Sequence, residues 1–224
     1  MRVLQVGKFY PIRGGVEKVM WDLTRGLSGQ GVDCDMLCAC AAGDMPEGGE
    51  IRFNGHGRVV CLRSFAKVAA TMLCPSMISW LRRHAAQYDI VHIHHPDPMA
   101  CLALWLSGYR GRVVLHWHSD ILKQKALLKL YRPLQSWLIR RADLILGTTP
   151  VYVAGSPYLK DVQNKVSYVP IGIDPVPLAQ GLRKDDGLVT VFSLGRLVEY
   201  KGYEYLIEAA RWLPYLKKGG KIVV

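Results

Sequence analysis

The sequence predicts an α/β protein: a Rossmann-like parallel sheet with helices on both faces over residues 1–169, then the first strand–helix unit of a second Rossmann-like domain. Three observations carry this. Short apolar runs alternate with longer segments of helical period. Several of those runs end in polar, titratable residues, as the strands of open parallel sheets do at their site-bearing ends. The alternation then stops at a Pro- and Gly-containing stretch and starts again.

Residues 2–6 are the first predicted strand and residues 7–14 the loop after it. A helix over 15–28 follows, because Val16, Val19, Met20, Leu23 and Leu27 recur at helical spacing and Gly29 and Gly31 close it. Strands at 32–38 and 58–62 flank the glycine-rich segment 41–57, in which only 51–54 has strand character. Residues 75–87 read as a helix with Met77, Ile78 and Leu81 inward. Arg82 and Arg83 lie near its C-terminal end, the sign that complements the helix dipole. Next come a strand at 89–94, a helix at 99–107, a strand at 112–116 and a helical stretch at 122–141, broken or bent at Pro133. A strand at 143–147, a helix at 149–159 and a strand at 166–169 complete the first run, with right-handed crossovers expected. Residues 170–187, with Pro170, Pro175, Pro177, Gly172 and Gly181, read as a linker. The pattern restarts with a strand at 188–194, a loop at 195–202, a helix at 203–213 and a further strand from Lys221. One such unit cannot cover both faces of its own sheet, so 188–224 is expected to be the incomplete start of a second domain.

Half of the residues are hydrophobic and 21% are charged, which excludes a disordered chain and permits a sizeable core. No apolar run reaches the ~18 residues of a membrane span, and the N-terminus has no signal-peptide pattern; the expectation is a cytoplasmic protein. Cys34, Cys38 and Cys40 lie close together while Cys61, Cys74 and Cys101 are scattered through apolar segments, with no C-x-x-C pair. They read as reduced, buried thiols. The formal charge is +11, and it is concentrated: Arg110, Arg112, Lys123, Lys125, Lys129, Arg132, Arg140 and Arg141 face only one acid, Asp120, over 110–141. Such a stretch suits an anionic partner.

Five constellations could carry chemistry. The run Val113-Val114-Leu115 delivers His116, His118, Ser119 and Asp120 at the end of a buried strand, and His118 is the first candidate for a catalytic residue. His92, His94, His95, His116 and His118 are five of the seven histidines and fall within 27 residues. A zinc site is one reading of them, although the run His94-His95-Pro96-Asp97 lacks the spacing of binuclear zinc hydrolases. Gly14-Gly15 at the mouth of a helix offers unhindered backbone N–H groups to an anion, without the spacing of a dinucleotide or Walker fingerprint. Arg196 and Lys201, bracketed by Gly195 and Gly202 after a strand, suit a diphosphate. Between the charges of 123–141, Leu127, Leu130, Tyr131 and Trp137 supply the apolar component of a helix able to lie on an anionic bilayer, or to pack on a core.

In their order along the chain these stretches resemble glycosyltransferase family 4, the nucleotide-sugar-dependent enzymes of the two-Rossmann-domain GT-B fold. Gly14-Gly15-Val16-Glu17, Asp89 to Pro96, Val114 to Asp120, Val169 to Asp174 and Gly195 to Gly202 carry the resemblance, with Ile171 where the family usually has asparagine. It implies a retaining transferase that moves a sugar to a lipid-linked or polysaccharide acceptor, in lipopolysaccharide or other cell-envelope glycan synthesis. It also implies that no metal or other cofactor is required. His118 would contact the transferred sugar, Gly14, Gly15, Arg196 and Lys201 the donor diphosphate, and His95 and Asp120 the acceptor or sugar. Placed cations would stabilise the departing diphosphate. Lys123, Lys125, Lys129, Arg132, Arg140 and Arg141 would form a membrane-surface patch on the inner face of the membrane. The family's Glu-x7-Glu segment lies beyond residue 224, so little activity is expected of these residues alone. The rival readings are a non-catalytic acceptor- or membrane-binding module, a nucleic-acid binder, disfavoured because no stacking-aromatic motif accompanies the charge, and a zinc hydrolase.

Overall fold

The computed structural model describes residues 1–53, 56–68, 71–121, 125–173, 175, 190–195, 197–212 and 221–223. The chain divides into two compact units, Met1–Gly172 and Ile173–Val224.

Among the described residues, the strands of the first unit are β1 (Arg2–Tyr10), β2 (Asp33–Cys40), β3 (Glu50–Phe53), β4 (Gly57–Arg63), β5 (Ala66–Val68), β6 (Thr71–Leu73), β7 (Ile90–His95), β8 (Arg112–Trp117), β9 (Leu144–Gly147) and β10 (Val166–Tyr168). Its helices are α1 (Gly15–Gly29), α2 (Ser76–His84), α3 (Pro98–Ser107), α4 (Lys125–Arg141) and α5 (Pro150–Gly155). Eight strands form one sheet in the order β10-β9-β8-β7-β1-β2-β4-β3. All neighbours are parallel except the β3–β4 pair at the edge. The sheet and its covering helices are the expected α/β arrangement.

Two side-chain layers follow from the two-residue period of a strand. On one face Leu4, Val6, Leu37, Val91, Ile93, Val113, Leu115 and Trp117 join residues of α2, α3 and α4 in the larger core. On the other, Met36, Cys38, Cys40, Val59 and Cys61 pack against Met20 of α1. All six cysteines are free and buried, as the apolar setting of their segments suggested.

Three departures from expectation stand out, the first two with local causes. β1 continues through the predicted loop to Tyr10: Gly7 at φ 138° and Lys8 at φ 51° absorb a register shift between Val6 and Phe9, after which Phe9 and Tyr10 pair with Ala39 and Cys40. α4 passes unbroken through Pro133, which sits on the exposed side, where water can satisfy the carbonyl left without a donor. The hairpin β5–β6 was not expected from the residue pattern of 66–73.

The second unit contributes a parallel pair, β11 (Thr190–Phe192) and β12 (Lys221–Val223), with α6 (Tyr203–Ala209) between them in the chain. No helix among the described residues is long and apolar enough to cross a membrane.

Candidate active site

The strand order reverses its direction of growth at β1, which has β2 on one side and β7 on the other. In open α/β sheets the crevice beyond the carboxyl ends of strands at such a switch is where ligands bind. β7 ends there in His94-His95, and β8 brings His116 and, one residue past its end, His118.

Register decides which histidines meet. His94 is the lateral partner of His116, and His92 that of Gln5. The side chains of Gln5, His92, His94, His116 and His118 therefore share the α1 face of the sheet, and the four imidazoles form a comb of near-parallel rings. Centroids are 4.7 Å apart for His92–His94, 5.2 Å for His94–His116 and 4.1 Å for His116–His118, with interplanar angles of 26°, 25° and 9°. His94 Nε2 lies 2.7 Å from Gln5 Oε1, and His94 Nδ1 lies 2.9 Å from His118 Nε2. His118 is half-buried, whereas His94 is fully enclosed.

Burial keeps these rings neutral. It pushes His92 down to about 3 and His116 to about 4, and it holds His94 well below the usual histidine range. For His118 burial is again the main cause, reinforced by His116, His92 and the Lys8 ammonium, and its value falls to about 2. The imidazoles thus serve as hydrogen-bonding groups at neutral pH, not as fixed cations.

Lys8 and Asp97, which were not among the candidate residues, brace the edge of the site. The Asp97 carboxylate accepts from the backbone N–H of Lys8, and its Oδ1 accepts from Met99 and Ala100 at 3.0 Å each, capping α3. The Lys8 ammonium donates to the Pro96 carbonyl. Gly7 packs its Cα against this corner: a Cβ there would lie 3.4 Å from the His94 carbonyl oxygen. The Gly7-Lys8 bulge thereby locks β1 onto the end of β7.

His95 is a correction. One residue out of phase with His94, it points to the opposite face, fully buried, stacked on Trp117 at 3.8 Å and bonded through Nε2 to Gln135 Nε2 at 3.0 Å. It supports the strand end and offers no surface to an acceptor or sugar. Asp120 is similarly engaged: Oδ1 accepts from Trp117 Nε1 at 2.8 Å and from Ser156 Oγ at 2.9 Å, and its backbone N–H donates to Tyr152 Oη at 2.6 Å. These bonds fix the turn that follows His118.

Gly14 is the N-cap of α1, and a Cβ on it would fall 2.2 Å from Glu17 Oε2. A protein carboxylate thus lies beside Gly14, while the space next to Gly15 is open. In the second unit Lys201 closes a short 3-10 turn ahead of α6. Arg196 lies outside the described residues. So do Lys123 and the side chain of Lys125.

Along α4, Lys129, Arg132 and Arg140 are exposed, and Leu130 stands 82% exposed beside Leu127. Arg141 is committed elsewhere, to the Gly111 carbonyl at 2.5 Å and Asp143 at 3.4 Å, so its charge belongs to the anchorage of the helix end.

Among the described residues, two trios bring possible metal-ligating atoms within 4.8 Å of one another: His92, His94 and His116, and Cys38, Cys40 and Cys61. In the first, both nitrogens of His94 already have partners, and its ring and the others lie in near-parallel planes, whereas a metal must lie in the plane of every imidazole it binds.

The model for "Glycosyltransferase Family 4" matches residues 13–176. The chain belongs to that family. Among curated relatives of this family-4 chain, O-antigen chain mannosyltransferase C of Escherichia coli is 31% identical over 230 residues, covering 98% of this chain and 61% of the relative. D-rhamnosyltransferase WbpZ of Pseudomonas aeruginosa is 32% identical over 224 residues, 96% of this chain and 58% of the relative. The chain thus spans about three-fifths of the length of these relatives. Among solved structures, Anabaena Alr3699/HepE in complex with UDP and glucose superposes with a TM-score of 0.62 at 18% identity, over 96% of this chain and 58% of that one. It is a likeness of fold. The expected Rossmann-like architecture of the GT-B class holds.

Proposed function

We propose that the protein carrying these residues is a glycosyltransferase that moves a sugar from a nucleotide-sugar donor to a glycan or lipid-linked acceptor during cell-envelope polysaccharide assembly. The observation that carries this is His118, half-buried at the carboxyl end of β8 beside the switch point, in a chain of family 4. The two curated relatives, named as a mannosyltransferase and a rhamnosyltransferase, support the reaction class, and the UDP and glucose bound by Alr3699/HepE support the donor class.

In this reading His118 holds the transferred sugar next to the reacting carbon. Lys201 and Arg196 receive the negative charge that grows on the departing diphosphate, where stabilisation is greater in the transition state than in the ground state. Gly15, at the open mouth of α1, lets the donor or acceptor approach the backbone. The reaction proceeds with retention and without a resident metal. The exposed leucines and cations of α4 rest against anionic lipid at the cytoplasmic face of the membrane.

Calorimetric titration with nucleoside diphosphates and nucleotide sugars tests the proposal, with His118→Ala and the double variant Arg196→Ala/Lys201→Ala alongside. Binding that is lost in the double variant supports the donor-diphosphate assignment. Binding unaffected by all three substitutions counts against it.

A further inference from the structure

The hydrogen bonds that end at His118 have a direction. Gln5 turns its Nε2 toward Cys34 Sγ at 3.8 Å, so its Oε1 faces His94 Nε2 at 2.7 Å. A carbonyl oxygen only accepts, so Nε2 of His94 carries the proton. A neutral imidazole has one N–H, which leaves His94 Nδ1 as a bare acceptor. Its partner, His118 Nε2, must then donate across the 2.9 Å contact. The same rule applied once more leaves Nδ1 of His118 with a lone pair and no proton.

We infer that Gln5 and His94 are positioning residues that fix the tautomer of His118, so that His118 meets its ligand as a hydrogen-bond acceptor and selects a donor group, a sugar hydroxyl, over a phosphate oxygen. The inference rests on the proposed role of His118 in the site and names the kind of group it recognises there. Two features of the structure support the relay. The centroid separation of His94 and His118, 5.1 Å with planes 17° apart, matches two rings joined edge to edge through one N–H···N bond. Gln5 and His94 are both fully enclosed, so water does not compete for either end of the relay. Burial and the neighbouring Lys8 ammonium disfavour a second proton on His118, which an acceptor-only phosphate oxygen would need.

The test is nitrogen NMR of the unliganded chain with 15N-labelled histidine, which distinguishes protonated from bare ring nitrogens directly. The expected result, for His94 and His118 alike, is a protonated Nε2 and a bare Nδ1. A protonated Nδ1 on His118 overturns the inference. Gln5→Met removes the acceptor at similar volume, and His118 should become a mixture of tautomers; Gln5→Glu keeps an acceptor and should retain the wild-type pattern. A Gln5→Met chain that folds and keeps a single His118 tautomer overturns the relay. Inorganic sulfate, which carries no proton at neutral pH and only accepts, should leave His118 Nδ1 bare, and protonation on its addition overturns the selection. None of these measurements requires transferase activity, so the relay can fail while the proposed function stands, and the reverse.

Discussion

The indole of Trp117 lies face to face on the imidazole of His95, with centroids 3.8 Å and planes 3° apart, while its Nε1 donates to Asp120. One residue before His118, this side chain joins the far face of the sheet to the turn beyond the strand. Trp117→Ala empties a fully buried position and is expected to cost about 3–5 kcal/mol of stability, read as a lower urea midpoint. Trp117→Phe keeps most of the ring but strands Asp120 without one donor, for about 1–2 kcal/mol. Equal losses from both would show that packing contributes little here.

The buried histidines give the fold an acid limit. Burial lowers the folded values of His92, His94, His95 and His116 below their unfolded value near 6.5. The unfolded chain then binds more protons, so stability is full above pH 6.5 and is lost as pH falls toward the folded values. Each of the four should cost about 1 kcal/mol between pH 7 and pH 5.5. Urea titrations across that range should show the decline, with a shallower slope in His92→Phe; a flat profile would contradict neutral burial of the comb.

The thiols should be silent. All six cysteines are buried, and burial raises Cys34 to about 11 and Cys101 well above the ordinary thiol range; hydrogen bonds from Cys38 and Cys61 instead lower Cys40 to about 4, so its silence rests on its enclosure. An aromatic disulfide reagent should find almost no reactive thiol in the native chain and six after denaturation. Rapid native reaction of one or more would place that cysteine at a surface.

Flotation with liposomes tests the α4 face. Leu130→Glu together with Lys129→Glu should reduce co-flotation with anionic vesicles several-fold and leave the thermal midpoint nearly unchanged, since both side chains are exposed. Equal recovery of wild type and variant would remove the physical support for membrane contact.

The sheet was legible because buried parallel strands are short and apolar, and the candidate site was nominated because His116 and His118 sit where such a strand ends. The register was not. Nothing local in the sequence says that His94 faces His116 or that Gln5 lies beside His92, since those pairings are set by strand order. For His95 a local signal does exist: alternation alone separates it from His92 and His94. Lys8 was hidden for a different reason. A bulge at Gly7-Lys8 carries β1 past its apolar run, and the partner Asp97 is 89 residues away.

That distance has a bearing on how the chain is made. Gln5 also reaches its partner across 89 positions, so β1 leaves the ribosome long before β7 and holds no part of the site until β7 arrives. Pairing with β2 can give the nascent chain a stable start, but the histidine comb cannot assemble until residue 118 has emerged. A chain released before β8 would carry five of the eight strands and neither His116 nor His118.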